Sequence, residues 1–284
     1  MTDETSGPVV LSRRGFAITS LAVGFAAAAG PVHAEVIHTD SNGLTAGPVS
    51  VPVADGKIPA YRAKPDRGTN FPVVLVVQEI FGVHEHIKDL CRRFAKLGYY
   101  AIAPSLYARY GDPSKYTDIH KLIDEVVLKV PDSEVLSDLD STVAYASGDS
   151  GDTTRLALTG FCWGGRIAWL YAAHSDKLKA AAAWYGKLRG EPGKLRTHFG
   201  IDLAPMLKAP VVGFYGGEDP GNPVSDVEMM RAALAKAGKK ESHVYLYMDA
   251  KHGFNADYRT SYNEKDAKDA WAKMLAFFKA NGVK

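Results

Sequence analysis

The sequence predicts an α/β fold with a mostly parallel central sheet and helices on both faces. Three observations carry that expectation. Apolar runs of strand length alternate with helix-length segments, the pattern of β-α-β crossovers. One run, FPVVLVVQ from Phe71 to Gln78, is almost wholly apolar, as a strand buried on both faces requires. The 284 residues, 46% of them hydrophobic, contain no internal repeat, linker or low-complexity block, so one large core is expected rather than several small ones.

Along the chain, SNGLTAGPVSVPVADGKIPAYRAKP places β-prone residues around the turn Asp55-Gly56 and predicts an opening antiparallel pair. Phe71–Gln78 is the first inner strand. In EIFGVHEHIKDLCRRFAKLGYY, residues Ile87, Leu90, Cys91, Phe94 and Leu97 recur at helical spacing, with Gly98 as the stop. YYAIAPSLY is the next strand, and a polar loop with helical segments runs on to Ser147. RLALTGFCWGGRIAWLYAAH reads as strand, turn and helix. LKAAAAWYG and APVVGFYGG are further strands, VSDVEMMRAALAKAG a helix, HVYLYMD a strand and EKDAKDAWAKMLAFFKANG the closing helix.

Ahead of this domain, Arg13 and Arg14 precede a weakly apolar Ala-rich run that ends at Val32-His33-Ala34, a small-x-small cleavage pattern. That layout resembles a twin-arginine export signal. Its apolar part, Ile18 to Ala29, is short for a bilayer span. The expected division is therefore a signal over 1–34, a polar segment over 35–48 and the folded domain over 49–284. The mature protein is expected in the periplasm or outside the cell, carried by the twin-arginine machinery and without stable membrane insertion after cleavage.

A net charge of +2, with no cluster of Lys and Arg, lacks the electrostatic footprint of nucleic-acid binding. Two cysteines, Cys91 and Cys162, are too few for a disulfide framework or a structural zinc site.

In a parallel sheet, chemistry gathers at the carboxyl ends of strands. Glu79, Ser105, Cys162, Asp219 and His252 all stand at such ends. Cys162 lies in GFCWGG, where Gly160 and Gly164 flank a sharp strand-to-helix turn. G-x-C-x-G is the thiol form of the G-x-S-x-G nucleophile elbow of α/β hydrolases. The turn sets the sulfur at a helix N-terminus, which favours thiolate. The competing reading is an inert buried cysteine. Downstream, Asp219 and then His252 follow two further strands, giving the chain order Cys…Asp…His of hydrolase triads. Glu218 and Asp249 are neighbouring carboxylates that could replace Asp219, and Asp219 could instead be a helix cap ahead of Pro223.

With these residues in view, the chain from about Val49 to its end resembles the dienelactone hydrolase (carboxymethylenebutenolidase) family. The matching pieces are Glu79-Ile80-Phe81-Gly82, Leu106-Tyr107-Ala108-Arg109, Gly160-Phe161-Cys162-Trp163-Gly164-Gly165, Gly216-Gly217-Glu218-Asp219 and His252-Gly253-Phe254. The resemblance implies an α/β-hydrolase fold, no metal or organic cofactor, and a lactone or ester substrate bearing a carboxylate. It implies a triad of Cys162, Asp219 and His252, with backbone N–H groups of Ile80 and Trp163 as oxyanion donors. It further implies that Glu79 takes the thiol proton when an arriving carboxylate shifts it, and that Arg109, accompanied by Tyr107, binds that carboxylate. Two residues depart from the pattern: Ala256 stands where the family has a second arginine, and Ser105 where Asp is common. Arg259, in the same loop as Ala256, is the candidate replacement. Readings of other classes are a hydrolase-fold binding protein without turnover and a redox thiol protein, the latter weakened by the absence of a C-x-x-C motif.

Overall fold

The computed structural model describes residues 37–284; the expected export signal lies outside them. An edge hairpin opens the fold: β1 (Leu44–Val53) and β2 (Gly56–Pro65) pair antiparallel around the Ala54-Asp55 turn. β1 begins five residues ahead of Val49, within the stretch from Ser41 whose β-prone residues predict the hairpin. Gly47 and Pro48 look like breakers in sequence. At the sheet edge, however, a proline needs no ladder partner on its outer side.

The remaining strands are β3 (Phe71–Val77), β4 (Tyr100–Pro104), β5 (Gly151–Phe161), β6 (Leu178–Trp184), β7 (Val211–Gly216) and β8 (His243–Tyr247). They form one eight-stranded sheet in the order β1-β2-β4-β3-β5-β6-β7-β8. β2 pairs antiparallel with β4, and every pairing from β4 through β8 is parallel. Central β3 is buried on both faces, as its unbroken apolar run demands.

The helices are α1 (Glu85–Lys96), α2 (Ile119–Glu125), α3 (Asp132–Gly148), α4 (Trp163–His174), the single turn α5 (Gly200–Leu203), α6 (Val224–Lys236) and α7 (Glu264–Ala280). Amphipathic α1 buries Ile87, Leu90, Cys91 and Phe94 against β2 and β4. Its Phe94 ring meets Trp271 of α7 at 4.8 Å. α3 and α4 are joined by a buried bidentate pair, Arg166 Nη1 and Nη2 donating to Asp132 at 2.8 and 2.7 Å. Cys91 is fully buried in α1, and both cysteines are free. Burial also pushes the Cys91 thiol well above its ordinary pKa, leaving it inert.

Because the inner strands are parallel, the segments leaving β3, β5, β7 and β8 emerge along one edge of the sheet. These segments carry Glu79, Cys162, Asp219 and His252.

Candidate active site

β5 reverses into α4 within a single residue. Cys162 is the helix N-cap and adopts φ 55°, ψ −113°, a conformation costly for any L-residue, by about 1–3 kcal/mol. Its N–H donates to Trp184 O at 3.0 Å, and its carbonyl accepts from Gly165 N at 3.0 Å, so both sides of the turn are fixed. The flanking glycines are steric necessities. A Cβ on Gly160 would sit 2.0 Å from Gly164 O, and one on Gly164 would sit 2.5 Å from Val77 O. Backbone cannot yield as a flexible side chain could, which is why the motif reads G-x-C-x-G.

Beyond β7, Asp219 is buried and its carboxylate is surrounded by donors. Oδ2 accepts from His252 Nδ1 at 2.8 Å and from Asn222 Nδ2 at 3.1 Å; Oδ1 accepts from Gly221 N at 2.8 Å. Asp219 is therefore the partner of the histidine. α6 begins after Pro223 without a side-chain cap, and Glu218 is exposed. Burial alone would raise the Asp219 pKa, but the His252 charge and the donors hold it below the ordinary value. On His252, burial opposes the charged ring, yet the Asp219 charge and the Cys162 sulfur prevail and hold the imidazole up at about 10. With Nδ1 committed to Asp219, Nε2 is the ring nitrogen left to serve the thiol.

Removing the Asp219 charge takes away the largest influence that raises this pKa and leaves the Cys162 sulfur alone against burial. In Asp219→Asn, the His252 pKa is expected to fall from about 10 to below about 6.5, read by NMR titration of the ring. A value still near 10 would contradict the assignment. The linked stability also changes sign. In the wild type the raised pKa stabilises the fold below pH 6.5 and is lost as pH climbs toward 10. In the variant, a depressed pKa costs stability as the solution becomes acidic.

Glu79 follows β3 and is wholly buried. It does not cap α1, whose N-cap is His84. Its carboxylate accepts from Arg259 Nη2 at 3.2 Å, Tyr258 OH at 2.5 Å and His84 Nε2 at 3.2 Å. Burial pushes its pKa up, but Arg259 and His84 overcome that and hold it well below the carboxylate range. Arg259 thus supplies a guanidinium from the loop where Ala256 carries none. Its electrostatic reach extends to Cys162 as well.

A cavity opens in front of the thiol, lined by Ile80, Cys162, Trp163 and His252 together with residues of the loop after β6. Trp163 is the first helical residue, so its N–H has no intrahelical acceptor. Three expected substrate contacts, Arg109, Tyr107 and Arg259, are not among the lining residues, Arg259 being engaged by Glu79. Arg109 is bound by carboxylates on either side: Nε donates to Asp55 at 2.7 Å, Nη1 to Asp138 at 2.7 Å, and Nη2 to both. It ties the β1–β2 turn to α3 instead of facing the thiol. Tyr107 packs edge-on against Trp163 at 4.9 Å and lines a neighbouring recess with Gln78, Phe81 and Ser105. Sequence reasoning missed Tyr185, Lys187, Arg196, Phe199 and Asn222, which line the cavity, and Tyr258 and His84, which hold Glu79. None belongs to a local motif. The only available signal was that Tyr185 and Lys187 directly follow a strand end.

The sequence profile of the Dienelactone hydrolase family matches residues 58–282. The chain belongs to that family. This dienelactone hydrolase-family protein is 56% identical over 275 residues to a Methylorubrum extorquens protein named "Putative carboxymethylenebutenolidase", with 96% of this chain and 94% of the relative covered. An Escherichia coli protein of the same name is 51% identical over 262 residues, 92% of this chain and 96% of its own. A crystal structure named "Putative Dienelactone Hydrolase", from Klebsiella pneumoniae, superposes with a TM-score of 0.81 at 53% identity, covering 83% of this chain and 98% of that one. The fold is the α/β-hydrolase fold, and the family is one of hydrolases.

Proposed function

We propose that this family member hydrolyses a lactone or ester bearing a carboxylate, through a Cys162–His252–Asp219 triad and a thioester acyl-enzyme. The observation that carries the reading is the buried Asp219–His252 pair set beside a cysteine strained at the strand–helix elbow. His252, held up at about 10, carries the proton of the Cys162–His252 pair, and the sulfur attacks the carbonyl. The C–S bond forms, and the carbonyl oxygen gathers charge opposite the Ile80 and Trp163 N–H groups. Collapse breaks the C–O bond, and His252 returns the proton to the departing alkoxide or enolate. Water, deprotonated by His252, then cleaves the thioester to the free acid.

His252 suits the base role better than Glu79, because Asp219 raises its basicity while Arg259 suppresses that of Glu79. The gated variant, in which a substrate carboxylate turns Glu79 toward the thiol, requires Glu79 to leave Arg259, Tyr258 and His84 together. The reading also includes export. The Arg13-Arg14 segment supports passage through the twin-arginine machinery, and catalysis would then occur in the periplasm or outside the cell.

Acid-quenching the protein during turnover of 4-nitrophenyl acetate tests the intermediate. Intact and peptide mass spectra should show one acetyl group on Cys162. Steady turnover with acylation at any other residue, or at none, sinks the proposed chemistry.

A further inference from the structure

We propose that Arg196, assisted by Lys187, is the residue that anchors the substrate's carboxylate, a role for which Arg109 is not placed. The inference rests on the hydrolase reading above and concerns the recognition half of the same site.

Charges around the cavity are unevenly matched. Arg166 is neutralised by Asp132 and His252 by Asp219. Lys187 and Arg196 also line the cavity, and no Asp or Glu does so among the described residues. Lys187 donates one N–H to Gly221 O at 2.7 Å, leaving two. The Arg196 guanidinium makes no hydrogen bond or ion pair with any described residue. Burial and the nearby Arg166 charge lower its pKa, and the Asp132 carboxylate, already bonded to Arg166, offsets them only in part. Tyr185, also in the wall, is fully buried, and its hydroxyl has no hydrogen-bond partner among the described residues.

The position is built rather than accidental. Leu195 O accepts from Asp132 N at 2.8 Å, and Thr197 N donates to Asp132 Oδ2 at 2.8 Å. The backbone on both sides of Arg196 is therefore fastened to the start of α3. Arg166 is bonded to the same Asp132 and to His198 O at 3.0 Å, and stacks over Phe199 at 4.9 Å. A loop held this firmly presents one side chain without a partner to a cavity walled by Ile123, Val127, Trp163 and Phe199. In so apolar a setting an ion pair is poorly screened, and a guanidinium suits the planar oxygens of a carboxylate.

Two esters and one inhibitor test this: mono-4-nitrophenyl glutarate, neutral 4-nitrophenyl acetate, and glutarate. In Arg196→Gln the ratio of kcat/KM for the anionic over the neutral ester should fall about 10- to 100-fold, carried by KM rather than kcat. Glutarate inhibition should weaken by a similar factor, and Arg196→Lys should recover part of both. A ratio and inhibition constant within about twofold of wild type overturn the proposal. Should Arg196→Gln fail to fold, the wild type decides, because glutarate must bind at least about tenfold tighter than neutral glutaramide. Equal affinity overturns it. Calorimetry of glutarate on Cys162→Ala protein needs no turnover, so failure of the anchor and failure of the hydrolase reading give different results.

Discussion

Cys162→Ala is expected to lower kcat/KM for both neutral and anionic esters by about four orders of magnitude, equivalent to about 5.5 kcal/mol of transition-state stabilisation. The sulfur forms the bond that every later step depends on, so nothing else at the elbow replaces it. What survives should be the weak catalysis of an oxyanion hole acting on water. The fold should survive too. Alanine retains the Cβ and the same cost of φ 55°, and the backbone bonds of the turn involve no side chain. Cys91 provides the control: it is sealed in α1, and Cys91→Ala should alter stability without touching turnover. One equivalent of iodoacetamide should react with the wild type and none with Cys162→Ala. Turnover above about 1% of wild type in the alanine variant would remove Cys162 from the mechanism.

The elbow, Asp219 and His252 were legible in the sequence because each is governed locally. Gly160 and Gly164 announce a turn in which only glycine fits, and a residue just past a parallel strand arrives at the functional edge wherever the chain goes next. Charge partners carry no such signature. Arg109 matches a family position, but its fate was decided by Asp55 and Asp138, 54 and 29 residues away. Arg259 was visible as a cation in the right loop, while its reach was not. That reach depends on Gly253 at φ 77°, where a Cβ would stand 3.1 Å from Arg259 Cδ. The Arg196 loop was unreadable for the same reason, since Asp132 fastens it from 65 residues away in sequence.

Arg259→Leu is expected to destabilise the protein by about 3–5 kcal/mol near neutral pH, because it strands a buried carboxylate rather than because it deletes a bond. Glu79 is 0% exposed and its countercharge is 3% exposed, so water cannot substitute for the guanidinium. Tyr258 and His84 would remain as donors, but burial keeps His84 below its ordinary pKa and it brings no full charge at neutral pH. The pH dependence separates this cause from lost packing of the arginine over Phe81 at 5.2 Å. In the wild type the Glu79 pKa lies below its unfolded value. Its stabilising contribution is present above about pH 4.5 and fades only below that, as pH falls toward the depressed folded value. In the variant, burial without a cation raises the pKa instead, so stability declines as pH rises from about 4.5. Urea denaturation should therefore show a wide gap between the two proteins at pH 7.5 that narrows markedly at pH 5. A gap of equal size at both pH values would assign the loss to packing. Glu79→Leu in the Arg259→Leu background should restore much of the stability, since a buried ion pair replaced on both sides leaves no stranded charge.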